Sequence, residues 1–405
     1  MKVYDKKYER ISTISIFLLI PLSGLATDIF LPSFPEMQEM LLTDSKGIQM
    51  TLSCFLVSYG ISLLAAGSLV DSFGRYKLVL ASLLLFSLSS FAIAIVHNIY
   101  LIYAMRVLQG ITTAFIVVGK RAFLVDIYKG KKLQHYTSLL TIIWSMAPIS
   151  APFIGGYLQK GFGWTSSFYF LGFYALVMLF VEWFFSGEAF TGFTAFKRKS
   201  LVSTYKTVLK APDFSTGLVI LGLTYGMVMV FAMSAPFLVE NHFHFSPVVT
   251  GYCALLSGVG IMSGGILGRS LSTYPFLRKL FFGVAMEIVI ALLMFGTGKF
   301  VSNIYVFAGF VYLLHLFNGF LYNVYFTYCL TRFPEYAGVT NGLTSGASYL
   351  VTSVASYAVV SVLHIQNQPG MALSYVILSL CILALLFFLR NIVKKRSLSG
   401  KKVIS

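Results

Sequence analysis

Charge is what this sequence has least of. Only 11% of its 405 residues are charged and 57% are hydrophobic, which leaves a water-soluble domain too little polar surface to stay dispersed. Cysteine is scarce too. Cys54, Cys253, Cys329 and Cys381 each fall inside an apolar run, and no two are spaced closely enough for a thiolate metal site or a redox pair. Acids are few, 14 against 30 Lys and Arg, giving a net charge of +16. Such an excess invites a nucleic-acid reading, but the basic residues come in short clusters between apolar segments rather than along one patch. A nucleotide-binding loop, a metal-ligand cluster and a nucleophile constellation are all missing, so an enzyme, a metal centre, a bound cofactor and a nucleic-acid partner are not expected.

What the sequence has in abundance is long apolar runs. A helix needs about 20 mainly apolar residues to cross a bilayer. Runs of that kind lie at about 11–34, 47–70, 77–97, 99–126, 134–158, 166–186, 213–239, 248–271, 280–298, 303–330, 338–362 and 370–390, which predicts twelve transmembrane helices. The first run continues past any plausible signal-peptidase site and reads as a retained helix. With a cytoplasmic N-terminus, the outer side holds Lys46, Lys160 and Lys299, Arg106 lies within a span, and every other Lys and Arg is cytoplasmic. Both termini are therefore expected inside.

The longest connection, about Gly187 to Pro212, contains "FKRK" (Phe196–Lys199), Lys206 and Lys210. It divides the chain into an N-terminal six-helix bundle (1–186), a cytoplasmic linker (187–212) and a C-terminal six-helix bundle with a basic tail (213–405). The halves echo weakly: "YGISLLAAGSLVDS" (Tyr59–Ser72) aligns with "SGVGIMSGGILGRS" (Ser257–Ser270), pairing Gly60 with Gly258 and Gly67 with Gly265. Two related bundles suit a transporter that rocks about a midplane cavity.

Three motifs carry polar chemistry. In "GSLVDSFGRYK" (Gly67–Lys77), Gly67 is expected to admit a neighbouring helix, Gly74 to make a tight reversal, and Asp71 to accept from Arg75 or Lys77. In "RVLQGITTA" (Arg106–Ala114), Arg106, Gln109, Gly110 and Thr113 form one polar, small-residue helix face. Its guanidinium either faces a cavity or partner or snorkels to the outer interface. In "APISAPFIGG" (Ala147–Gly156), Pro148 and Pro152 each remove a backbone donor while Gly155 and Gly156 admit a close neighbour, which reads as a segment that bends and packs tightly.

These segments resemble the major facilitator superfamily, specifically its twelve-span drug:proton antiporter branch of the bicyclomycin and chloramphenicol resistance type. The resemblance also rests on "DIFLPSFP" (Asp28–Pro35), "TLSCFLVSYG" (Thr51–Gly60) and "RAFLVD" (Arg121–Asp126). The chain departs from the family pattern at Ser72, Tyr76, Ala151, Ile20 and in Gly163-Trp164-Thr165, changes that bear on substrate range rather than fold.

The resemblance implies an all-α fold of two pseudo-symmetric six-helix bundles, and a monomer in the bacterial inner membrane. It implies a cavity lined by Thr27, Asp28, Arg106, Gln109, Thr113, Tyr225, Met229, Phe231, Asn318, Tyr322 and Asn323. It also implies a cytoplasmic latch in which Asp71 meets the next bundle near Ala337 and Gly338 while Arg75 reaches Asp126. Asp28 and Arg106 lie about 8 and 10 Å from the outer ends of their helices and can share one depth. Burial favours a neutral carboxyl and a nearby guanidinium favours a charged one, so relative movement of the two makes a proton switch, the proton being the coupling ion. A permanent ion pair locking the two helices is the structural alternative. Glu182 and Glu287, on helices expected at the periphery, are read as snorkelling or supporting packing, and His315 as a further polar group in the tenth span.

The function expected is proton-coupled export of small amphiphilic molecules by alternating access. A dedicated metabolite transporter, moving a siderophore or a sugar in or out, shares every one of these features. A non-transporting receptor or assembly factor is disfavoured by the lack of an extramembrane domain.

Overall fold

The computed structural model describes residues 2–190, 192–193 and 198–398. All of its regular structure is helical apart from one isolated bridge between Val3 and Glu188. The first membrane segment, α1 (Lys6–Met40), is followed by α2 (Ser45–Phe73), α3 (Arg75–Ile95), α4 (Ile99–Ile127), α5 (Gly130–Phe162) and α6 (Thr165–Phe185). Then come α7 (Pro212–His242), α8 (Pro247–Ser270), α9 (Phe276–Thr297), α10 (Ile304–Thr331), α11 (Ala337–Leu363) and α12 (Gln368–Leu398). Among the described residues 11 helices are long and apolar enough to cross a membrane. The expected fifth span is α5, a helix of 33 residues.

The chain divides into two compact units, Met1–Arg198 and Lys199–Ser405. Within the first, α2 packs along α4, α3 along α4 and α6, and α1 along α5; within the second, α8 packs along α10, α9 along α10 and α12, and α7 along α11. The same pairing scheme is thus built twice. Phe196 and Lys197 of the basic connection lie outside the described residues. Beyond them the connection is not simply a loop, because Arg198–Leu209 forms a 12-residue helix.

The first membrane segment was expected to be one continuous helix ending near 34, and it is not. It runs as Glu9–Leu19, Leu22–Asp28, a short tight turn at Leu31–Ser33 and Phe34–Met40. Prolines explain the breaks. Pro21 offers no N–H to the carbonyl of Phe17, and Pro32 offers none to the carbonyl of Asp28, so the second helical piece stops at Asp28. By contrast, Pro148 and Pro152 sit inside α5 without interrupting it.

Close helix approaches are not all made by the glycines the motifs suggest. A Cβ on Gly110 would collide with the Ser58 hydroxyl and meet the Phe55 carbonyl at 2.5 Å, so only glycine lets α4 lie this close to α2. Gly67, by contrast, is exposed, and a Cβ there meets nothing within 4 Å. Within its own unit, packing therefore does not demand glycine at Gly67.

Candidate functional site

Asp28 and Arg106 are both deeply buried, 4% and 0% exposed, so the guanidinium does not snorkel. The position of Arg106 follows from its neighbours. Nη1 donates to Gln109 Oε1 at 2.6 Å, Nη2 to the Ala26 carbonyl at 3.0 Å and Nε to the Thr51 carbonyl at 3.4 Å. Phe30 and Phe55 cover the guanidinium from 4.3 and 4.6 Å. Gln109 is itself fixed, donating to Ser90 Oγ at 2.8 Å. Ala26 lies in the last turn of the piece that Pro32 terminates, where carbonyls lack intrahelical donors and a cation is favoured.

The same helix break places Asp28 between two groups that Arg106 touches, Ala26 and Phe30, without joining the charges. Among the described residues no hydrogen bond or ion pair reaches the Asp28 carboxyl. The permanent ion pair is therefore not the arrangement found. Gly155 completes the setting: a Cβ there would overlap the Ile29 carbonyl, which also accepts from Ser167 Oγ at 3.3 Å. Gly156 is buried beside it. Gly155→Val is expected to push α5 off α1 and cost about 1–3 kcal/mol by overpacking, read as a lower melting temperature in detergent.

Other residues expected to line a cavity fall into several groups. Thr27 is buried and donates to the Ser23 carbonyl at 2.6 Å; Thr113 is fully buried, and its hydroxyl has no described partner. Tyr225 and Tyr322 meet with ring centroids 6.1 Å apart, and Met229 and Phe231 are buried in α7. Two of these residues meet neighbouring helices of their own unit. Asn318 is a helix-to-helix tie, donating to the Thr224 carbonyl at 2.7 Å, and exposed Asn323 faces Gly265 and Gly268 of α8, where a Cβ added at Gly268 would meet its Oδ1 at 3.4 Å. Their carboxamides thus lie on faces turned toward α7 and α8 respectively.

At the α2–α3 turn Gly74 has φ +91°, a left-handed conformation that glycine tolerates. Arg75 pairs with Asp126 and with Asp71, the latter at 3.2 Å, and donates to the Ala122 carbonyl at 2.9 Å. The expected contact of Asp71 near Ala337 falls on a side chain outside those described. What the motif alone did not reveal is Glu188. Its carboxylate accepts from Tyr76 N at 3.0 Å, at the start of α3, and from Phe190 N at 3.2 Å. Its backbone pairs with the N-terminal strand, donating to Lys2 O at 2.9 Å and accepting from Tyr4 N at 3.0 Å. The first acid after α6 was the available signal.

Two acids expected to snorkel or to support packing are both buried. Glu182 is 1% exposed and takes both carboxylate bonds from Lys120, at 2.8 and 2.9 Å, plus one from Ser15 Oγ at 2.6 Å. Glu287 is fully buried. Neither snorkels. Lys120, read from the sequence as a cytoplasmic charge, is 2% exposed inside the bundle.

A twice-built helical bundle whose buried charges lie inside membrane-spanning helices is the architecture of a polytopic membrane protein. Residues 16–356 match the sequence profile of the Major Facilitator Superfamily, and the chain belongs to that family. It is 31% identical to the MFS-type transporter YdgK of Bacillus subtilis (strain 168) over 62% of this chain and 64% of that protein. It is 32% identical to a bicyclomycin resistance protein homolog of Haemophilus influenzae over 39% of each, and 28% identical to multidrug resistance protein D of Escherichia coli (strain K12) over 38% of this chain and 40% of that one. The matched stretches thus span roughly two-fifths to two-thirds of these relatives. Among solved structures, the nucleoside transporter NupG superposes with a TM-score of 0.73 at 13% identity, covering 95% of this chain and 99% of its own. The human organic anion transporter MFSD10 gives 0.67 at 15%, covering 93% and 99%. The chain is therefore a multi-pass membrane protein with the superfamily fold, and a transporter rather than an enzyme.

Proposed function

We propose that the protein is a proton-coupled exporter of small amphiphilic molecules, working by alternating access as a monomer in the bacterial inner membrane with both termini cytoplasmic. The observation that carries this reading is Asp28: a carboxyl buried in the first membrane segment and in no ion pair, while the Arg106 guanidinium is held by two residues that flank it in sequence, Ala26 and Phe30. A carboxyl in that setting can take a proton in one conformation and release it when the guanidinium moves closer, because the cation favours the charged form. The direction and cargo rest on the named relatives, which include a chloramphenicol resistance protein of Pseudomonas aeruginosa matched over 42% of this chain at 30% identity. Energetically one proton suffices: one charge moving inward is worth about 2.3 kcal/mol per 100 mV, enough to hold a gradient of about fifty-fold in a neutral substrate.

Proteoliposomes with an imposed pH gradient test the reading, using chloramphenicol, bicyclomycin, cationic dyes and a siderophore as probes. Proton-dependent antiport of a drug or dye is expected. Uptake of a metabolite together with protons would overturn it. Arg106→Ala is expected to leave substrate binding measurable while slowing turnover, because the cation that helps the carboxyl give up its proton is gone. Stopped-flow detection of substrate-triggered proton release should show a slow phase rather than a missing one.

A further inference from the structure

The C-terminal unit buries an acid for which the Asp28 site has no use. Glu287, midway along α9, is 0% exposed. Its Oε2 receives one long bond from Ser379 Oγ at 3.4 Å, the Asn318 carboxamide is its other polar neighbour, and its Oε1 makes no hydrogen bond of good geometry. None of the ion pairs among the described residues includes it. An ionised carboxylate in such a place would have no cation and too few hydrogen bonds to repay its dehydration, whereas a protonated acid is an uncharged group of the same shape.

The helices packed against α9 are α10 and α12, and each turns a titratable ring toward the same region. His315 on α10 uses both ring nitrogens: Nδ1 meets Ser257 Oγ at 2.5 Å and Nε2 meets Tyr375 Oη at 2.9 Å. Tyr375 and Ser379 are four residues apart on α12 and so share a face, one turn from each other. His315 and Asn318 are likewise three apart on α10. The acid and the imidazole thus occupy successive turns of one buried polar seam. A neutral imidazole between two hydroxyls can be oriented either way, donating to Tyr375 and accepting from Ser257 or the reverse. Reversal takes up a proton at the Tyr375 hydroxyl and gives one up at the Ser257 hydroxyl, so a proton moves along the chain and all three groups stay neutral.

We infer that Glu287 is a second proton-binding site, held in its protonated form inside the C-terminal unit and serviced by the Ser257–His315–Tyr375 chain. Its role in transport rests on the proton-coupled reading, but its existence does not. The test is infrared spectroscopy of the full-length protein in lipid nanodiscs at neutral pH. A carbonyl band of a protonated carboxylic acid is expected, removed by Glu287→Gln and retained by Asp28→Asn, with the Glu287→Gln melting transition near that of the wild type. If the Gln variant fails to fold, Glu287→Asp serves instead, and the band should move rather than vanish. In D2O the band should shift as the acid proton exchanges, and Tyr375→Phe, which deletes only the hydroxyl, should slow that shift severalfold. A spectrum unchanged by either Glu287 variant overturns the site. Exchange at the wild-type rate in Tyr375→Phe overturns the chain. Proton-independent transport in proteoliposomes with the band intact would defeat the exporter reading alone.

Discussion

Asp28→Asn should reduce proton-driven transport to the level of passive leak while leaving the protein folded. The asparagine side chain has nearly the size of the protonated acid, and no described partner of the Asp28 carboxyl is lost by the change. Thermal stability should therefore stay close to that of the wild type. What disappears is the ability to alternate between a neutral and a charged group beside the guanidinium that Gln109, Ala26 and Thr51 hold. Substrate can still bind, since the variant imitates the proton-loaded state, but binding loses its dependence on pH. A coupling that sustains about a fifty-fold gradient per 100 mV should fall to equilibration. Two measurements decide it: accumulation against an imposed gradient, and proton release on adding substrate to protein in weakly buffered detergent. Release that persists in Asp28→Asn would move the coupling elsewhere, with Glu287 the next place to look. The comparison with Arg106→Ala sharpens this, because one variant cannot load a proton and the other unloads it slowly.

How legible the site was depends on whether a residue's partner lies nearby in sequence or across the bundle. Gly74 could be read locally, since the turn between α2 and α3 needs a positive φ, and the Arg75–Asp126 pair followed from the family pattern. The burial of Asp28 was legible because a carboxylate in a long apolar run has few other places to be. The surroundings of Arg106 were not, because they are assembled from the Ala26 and Thr51 carbonyls and the rings of Phe30 and Phe55, groups that carry no marker in a sequence. Gly67 was not legible for a related reason. Its spacing is that of a packing glycine, but which face of α2 meets a neighbour is a tertiary matter, and within the first unit Gly110, set against Phe55 and Ser58, has that duty instead. The prolines show the same split. Pro21 and Pro32 break the first segment, while Pro148 and Pro152 are absorbed by α5. Charges near helix ends were hardest of all, since Lys120 and Glu182 look like ordinary cytoplasmic and peripheral residues until α4 and α6 are packed against α1.

That pair gives the largest expected effect on stability. Lys120→Met removes the cation and leaves the Glu182 carboxylate buried with only the Ser15 hydroxyl, which should cost about 3–5 kcal/mol, the usual penalty for stranding one half of a buried ion pair. Replacing both partners by apolar residues of similar size should undo most of that loss. In Lys120→Met combined with Glu182→Leu no charge is left to desolvate, and Ser15 keeps its bond to the Ser12 carbonyl at 2.8 Å. The methionine can also keep the contact that the lysine makes with the Phe123 ring, whose centroid lies 4.5 Å from Nζ. Melting temperatures of the wild type, both single variants and the double in one detergent form a closed cycle. The double should melt well above Lys120→Met and near the wild type. Should Lys120→Met lose no more than an exposed pair is worth, about 0–1 kcal/mol, water must reach the pair in the working protein. The bond between α4 and α6 would then belong to one conformation of the transport cycle rather than to the fold.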